Sequence, residues 1–225
     1  MFITFEGGEG SGKSSQVALL AERLRSDGRA VRTTREPGGT PFAGAIRALL
    51  LHPEESLRAL CEGGLATHDE PAEPMLPITE ALLFSAARAQ HVARMREWLA
   101  AGEIVICDRY ADTTRAYQGV ARGLDMETID TLERLATDGL RPDLTFLLDL
   151  PVEVGQARRR NMTDGDWNWL DAETVAFHER VRAAYLALAA AEPKRWVVLD
   201  ATQLPDTLAE SIWQTVMSRL DTERA

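Results

Sequence analysis

The stretch Gly7-Gly8-Glu9-Gly10-Ser11-Gly12-Lys13-Ser14 fits the pattern G-x-x-x-x-G-K-[ST] and leaves the chain little choice of fold. Phe2-Ile3-Thr4-Phe5 before it is a short apolar, strand-like run. From Ser15 to Leu24, Val17, Leu20, Ala21 and Leu24 recur at helical spacing. Strand, glycine loop and helix, in that order, are the context the motif requires. The glycines let successive backbone N–H groups converge on one concavity, and that nest at a helix N-terminus favours phosphate. Gly7, Gly8, Glu9, Gly10, Ser11, Gly12, Lys13, Ser14 and Ser15 are therefore expected to cradle a nucleotide's phosphates. Lys13 reaches the outer phosphates and the Ser14 hydroxyl reaches a Mg²⁺ ion. Lys194 is the only other lysine, and arginine supplies nearly all the remaining positive charge. A lysine at the one position that demands it is therefore informative.

The rest of the chain alternates in the same way. Strand-like runs near residues 2, 31, 104, 145 and 196 are separated by helical patterns over Pro41 to Leu51, Ile78 to Ala100, Met126 to Thr137, Val152 to Arg160, Ala172 to Ala191 and Leu204 to Leu220. Thr113 to Tyr117 starts a further helix, and Glu54 to Leu60 is a short one. This alternation predicts an α/β fold in which a five-stranded parallel sheet carries helices on both faces, in one domain spanning residues 1–225. Residues 61–75, rich in Pro and Gly, are expected to form a mobile surface loop, and Asn161 to Asp171 a polar, Trp-bearing loop. Net charge is −10, which excludes a general nucleic-acid binder but not a ligand needing only a local positive pocket. Cys61 and Cys107 are too few to staple a fold and suggest a reducing, cytoplasmic setting. No basic leader precedes the first strand, and no apolar run approaches membrane-spanning length.

Ligands in such folds sit at the carboxyl ends of the strands. Gly7 to Ser14, Arg35 to Thr40, Asp108-Arg109-Tyr110 and Asp149 to Pro151 all fall at such ends. Asp108 can hold Mg²⁺ through water or accept from Ser14, and Arg109 can clamp a phosphate bidentately; an Asp-Arg surface ion pair is the plainer alternative. Phe84 and Arg88, four apart on a helix, can stack on a base and bond its carbonyl edge, or Phe84 can simply pack in the core. Thr113 to Gly119 offers hydroxyls and an amide near the same strand end, though Thr113 reads equally as a helix N-cap. Arg158, Arg159 and Arg160 cannot all face one way. One or two are solvated, or close over the phosphates as cationic lid residues.

With these residues placed, the chain resembles the bacterial thymidylate kinases over nearly its full length. The resemblance runs through Phe5-Glu6-Gly7, Thr34 to Thr40, Ile46 to Leu51, Leu83 to Gln90 and Asp108-Arg109-Tyr110. It continues through Ala116 to Gly119, Arg141 to Leu144, Leu148-Asp149-Leu150, Arg180 to Tyr185 and Asp200-Ala201-Thr202. It implies a three-layer P-loop nucleoside monophosphate kinase fold with a short lid near residues 155–171. It further implies transfer of the ATP γ-phosphoryl group to dTMP, giving dTDP with Mg²⁺ as cofactor, and a cytoplasmic homodimer with no membrane or nucleic-acid partner. Lys13, Arg109 and Glu9 would carry catalysis, with Glu9 near the sugar 3′-hydroxyl, and Ser14 and Asp108 would hold the metal. Arg35, Pro37, Phe84, Arg88, Arg109, Thr113, Tyr117 and Gln118 would bind the acceptor. Many relatives place an arginine in an Asp-Arg-x-Glu lid signature. Here that stretch, Asp164 to Asp171, holds Trp167 and Trp169, and the P-loop has no arginine. Arg158 or Arg160 is the expected substitute. A kinase of altered base specificity, or a nucleotide-binding module with reduced turnover, stand as alternatives.

Overall fold

The computed structural model describes residues 1–65, 73–161 and 168–222. Strands β1 (Phe2–Glu6), β2 (Val31–Arg35), β3 (Ile104–Asp108), β4 (Leu144–Asp149) and β5 (Trp196–Asp200) form one sheet in the order β2-β3-β1-β4-β5. Every pairing is parallel, with Ile3 opposite both Ile106 and Leu144. The alternation of side chains across a strand explains the two-faced core. Ile3, Phe5, Ile104, Ile106, Leu144, Phe146 and Leu148 point to one face. There they meet Val17, Leu20 and Leu24 of α1 (Lys13–Ser26) and Ile212, Val216 and Leu220 of α9 (Pro205–Thr222). Phe2, Val105 and Cys107 point to the other face, against Val92 and Met95 of α4 (Pro77–Ala100). Leu147 and Trp196 meet Phe177, Val181 and Tyr185 of α8 (Val175–Ala191) on that side as well. Each such buried apolar side chain contributes roughly 1.5–3 kcal/mol by leaving water.

Further helices connect these elements. They are α2 (Pro41–Leu51), α3 (Pro53–Glu62), α5 (Ala111–Thr114), α6 (Met126–Thr137) and α7 (Val152–Arg160). Helix α5 continues without a break into a π-helical segment, Arg115–Ala121. Most helix boundaries shift by a residue or two from the sequence expectation, and three shifts bear on the site or its loops. Helix α8 begins at Val175, because the Thr174 hydroxyl caps it by accepting from Phe177 N at 3.2 Å. Helix α3 extends through Cys61 and Glu62, so the loop expected from residue 61 starts later. Thr113 is no N-cap: α5 begins two residues earlier, and the cap position is Tyr110. Much of the expected mobile loop (66–72) and part of the expected lid (162–167, including Trp167) lie outside the described residues. No helix among the described residues is long and apolar enough to cross a membrane.

Candidate active site

The P-loop leaves β1 at Gly7 and enters α1 through Gly12, whose φ of 88° places it in the left-handed region. No side chain caps α1, so the N–H groups of its first turn stay available to an anion. The Lys13 ammonium lies along the loop, donating to Gly7 O at 3.1 Å, Gly8 O at 2.8 Å and Ser11 Oγ at 3.3 Å. Burial, with Arg109 as the next cause, lowers its pKa to about 8. Ser14 and Ser15 stand exposed in the first turn, and Ser14 Oγ donates to Asp108 Oδ2 at 2.5 Å. A hydroxyl and a carboxylate are the hard oxygen donors Mg²⁺ prefers. Among the described residues no group of three or more His, Cys, Asp or Glu could hold a metal by itself. The donor set fits an ion completed by substrate phosphates and water.

Glycine is required at the crossing of the loop with α7. A Cβ on Gly10 would lie 2.3 Å from Gly155 O, and a Cβ on Gly155 would lie 2.4 Å from Glu9 O. The two backbones touch directly, with no side chain able to yield.

Arg109 follows β3 with φ of 68°, a left-handed conformation that costs a non-glycine residue about 1–3 kcal/mol. That conformation turns its guanidinium back across the strand ends. Nη1 donates to Gly7 O at 3.1 Å and Tyr185 Oη at 3.2 Å, and Nη2 donates to Glu9 Oε1 at 2.5 Å. Tyr117 Oη donates to the same Glu9 oxygen at 3.1 Å. Burial pushes the Glu9 carboxyl up, but Arg109, Lys13 and Tyr117 outweigh it and bring the group to about 2. Glu9 is therefore an anion throughout the neutral range. Beneath this pair, buried Glu6 accepts from Tyr110 N at 2.8 Å, Thr113 Oγ1 at 2.6 Å and Tyr185 Oη at 2.9 Å. Burial, then the nearby Asp112, raises its pKa to about 7.

A second cluster lies between α4 and α5. Arg88 is fully enclosed. Nε donates to Glu36 Oε2 at 2.7 Å, and Nη2 donates to Tyr110 O at 3.2 Å and Thr114 Oγ1 at 3.0 Å. His91 Nδ1 lies 3.1 Å from Glu36 Oε1, and its Nε2 lies 2.7 Å from Thr34 Oγ1. Gln118 Nε2 donates to buried Glu80 Oε1 at 2.5 Å. Arg88 Nη1 and Gln118 Oε1 are buried with no hydrogen-bond partner among the described residues. Phe84, buried in the core with Ala43 and Tyr117, belongs to the same helix face.

The expected residues are thus only partly gathered. Lys13, Glu9, Arg109 and Tyr117 form one connected group, and Phe84, Arg88 and Gln118 flank another. Arg35 is exposed at the end of β2 and lines a groove of about 890 Å³ with Ser14 and Asp108. Pro37, buried after a cis Glu36–Pro37 bond, accepts from Arg47 Nη1 at 3.1 Å. Thr113 spends its hydroxyl on Glu6, and Thr114, one residue on, faces Arg88 instead. The three arginines of α7 separate as helical spacing requires. Arg158 Nη1 donates to Ala201 O at 3.0 Å, and Arg159 pairs with buried Asp171 at 3.0 Å. Arg160 is exposed and shares a cavity of about 370 Å³ with Glu9, Gln156 and His178. His178 Nε2 is buried there without a partner among the described residues, and burial lowers the imidazole's pKa. Trp169, in the stretch expected to carry a lid arginine, donates Nε1 to Leu50 O at 2.7 Å and roots the lid on α2.

The residues missed by sequence reasoning are polar and buried: Glu6, Glu36, Glu80, His91 and His178. Glu80 was within reach, since it precedes Phe84 and Arg88 at the same four-residue interval.

Compared with known proteins, the chain matches the family model described as thymidylate kinase over residues 5–212. The thymidylate kinase of Thermomicrobium roseum is 51% identical over 216 residues, covering 96% of this chain and 93% of the relative. That of Trichlorobacter lovleyi is 47% identical over 225 residues, covering 98% of each. Among solved structures, the thymidylate kinase of Ehrlichia chaffeensis superposes with a TM-score of 0.69 at 31% identity, covering 96% of this chain and 98% of that one.

Proposed function

Because the chain belongs to the thymidylate kinase family, we propose that the P-loop group and the α4–α5 group are the donor and acceptor halves of its active site. The enzyme transfers the ATP γ-phosphoryl group to dTMP, giving dTDP and ADP on the way to dTTP. One observation carries the assignment of the two halves. Gly7 O receives hydrogen bonds from both Lys13 Nζ and Arg109 Nη1, each at 3.1 Å. Two cations within reach of one atom repel each other strongly unless anionic groups lie between them. Ionised Glu9 is one such group, and an ATP phosphate on the Lys13 side and the acceptor phosphate on the Arg109 side add to it.

The acceptor phosphate oxygen attacks the γ-phosphorus directly, so no protein nucleophile is needed and rate comes from positioning and charge. Lys13 and the α1 N-terminus hold the transferring group, and Arg160 faces it across the cavity beside Glu9. Arg109 and Arg35 hold the acceptor phosphate. Glu9, kept ionised and braced by Arg109 and Tyr117, accepts from the sugar hydroxyl. Phe84 stacks on the base, Arg88 Nη1 donates to its carbonyl and Gln118 Oε1 accepts from its ring N–H. Ser14 and Asp108 would hold Mg²⁺, which when bound neutralises charge on the phosphate oxygens. The reduced-turnover alternative rested on the missing lid arginine, a role Arg160 takes here.

A panel of dTMP, dUMP, dCMP and dGMP with ATP and Mg²⁺ tests the reading. ADP release with dTMP supports it, and no release with dTMP alongside release with another monophosphate defeats it. We further place the protein in the cytoplasm as one domain whose lid runs from α7, in keeping with its free thiols. It acts there as a homodimer. Exposed Phe42 on α2, with Leu76 and Leu82 at the start of the adjoining α4, supply an apolar face for the second copy. Sedimentation at the monomer mass would rule that dimer out.

A further inference from the structure

Glu80, Phe84 and Arg88 stand four residues apart along α4, so they form one stripe of that helix, and all three are buried. Opposite them, Thr114 and Gln118 are four apart on α5 and its π-helical continuation. Two rungs join the stripes. Arg88 Nη2 donates to Thr114 Oγ1 at 3.0 Å, and Gln118 Nε2 donates to Glu80 Oε1 at 2.5 Å. Phe84 lies between the rungs on α4. Each rung leaves one polar atom enclosed and unpartnered: a donor, Arg88 Nη1, and an acceptor, Gln118 Oε1.

That acceptor is not a free choice of the glutamine. A side-chain amide presents either its NH₂ or its oxygen, and the two ends have nearly the same shape. An ionised carboxylate only accepts. Glu80 therefore takes the NH₂ end of Gln118 and leaves the oxygen outward. Burial raises the Glu80 pKa, and Arg122 opposes that rise, its Nε standing 3.4 Å from Glu80 Oε2. Arg122 is itself held, with Nη2 at 2.7 Å from Glu173 Oε1 and its guanidinium 4.6 Å from the centre of the Phe177 ring.

We propose that Glu80 is a positioning residue that sets pyrimidine selectivity, by holding the Gln118 amide so that only its oxygen meets the acceptor base. This rests on the placement of the base against Phe84, Arg88 and Gln118 given above. Thymine and uracil carry a carbonyl beside a ring N–H, which match the free donor and the free acceptor. Cytosine carries an amino group beside a bare ring nitrogen, so donor would face donor and lone pair would face lone pair. An unmade buried hydrogen bond of this kind discriminates far better than a missing methyl group does.

Glu80→Gln tests the assignment, because an amide at position 80 donates as readily as it accepts and frees Gln118 to turn over. The ratio of kcat/KM for dTMP over dCMP should fall by about tenfold or more, through KM for dTMP. The dTMP-to-dUMP ratio should stay unchanged, since those bases share the edge and differ only in the methyl group, and KM for ATP should not move. The exchanged pair Glu80→Gln with Gln118→Glu keeps one donor behind and an acceptor-only group outward, so it should recover dTMP preference over dCMP relative to E80Q. It also tests the proposal if E80Q alone does not fold. A wild-type dTMP-to-dCMP ratio in E80Q, an equal loss for all three monophosphates, or an exchanged pair without dTMP preference would overturn the role of Glu80. A wild-type enzyme inactive on dTMP would instead overturn the acceptor reading beneath it.

Discussion

Lys13 shows how burial sets a working pH. Its ammonium is lowered from 10.5 to about 8, by burial first and Arg109 second, so the free enzyme loses that charge as pH rises through 8. The kcat/KM for ATP, which reports the free enzyme, should therefore fall along an alkaline limb centred near 8. A limb centred near the ordinary lysine value of about 10.4 would show that the ammonium is not perturbed. Arg160 and Arg158 give a second contrast. Arg160→Ala should lower kcat by about 10²-fold, the usual cost of losing one group that meets transition-state charge. Arg158→Ala, which removes a bond to the Ala201 carbonyl, should leave kcat near wild type. Equal kcat in both variants would move the lid charge elsewhere. Lys13 and Arg109 are legible in the sequence because one sits at a motif position and the other at a strand end, and Arg88 because it stands four residues from Phe84 on one helix face. Thr113 misleads because one residue along a helix is a rotation of about 100°, enough to exchange Glu6 for Arg88 as the partner.

At the scale of elements, the P-loop and α7 behave as one part. Gly155 lets α7 lie on the Glu9 carbonyl, and Arg160 projects from the end of the same helix. Gly155→Ala inserts a methyl at 2.4 Å from Glu9 O and must push the loop and helix apart. Overpacking of this order costs about 1–3 kcal/mol. KM for ATP should rise and kcat fall, while KM for dTMP stays close to wild type. Val154→Ala, at an exposed neighbouring position, is the control. Unchanged ATP kinetics in G155A would show that the contact is incidental. No periodicity reveals this contact, because Gly155 looks like any helix interior glycine until the two backbones are brought together. The polar groups beneath the acceptor pocket are hidden for a related reason. Apolar spacing finds the face of α4, but not that Glu80 and His91 share it with Phe84, Arg88 and Met95.

For the whole molecule, strand number, parallel pairing and the placement of helices follow from alternation of the two periodicities, and the structure bears them out. The order β2-β3-β1-β4-β5 does not follow from periodicity, since it depends on where each crossover lands. Its effect is to seat β1 between β3 and β4, so the P-loop emerges beside Asp108-Arg109 and the start of α7. Ligand binding should then be felt by the entire fold. At about one hundred times its dissociation constant, dTMP adds about 2.7 kcal/mol of stability and raises the melting temperature by about 5–10 °C. At the same concentration dCMP should raise it much less, and an equal rise for both would argue against a selective pocket.

That difference has its source in Arg88 Nη1 and Gln118 Oε1, two enclosed atoms with no partner among the described residues. A buried polar group left unmatched makes a fold less stable than its packing would allow. The native state is thus held short of its own optimum, and a molecule with the complementary edge supplies the remainder. Heat resistance becomes a reading of chemical identity, so a melting curve recorded without any turnover can rank the pyrimidines this protein accepts.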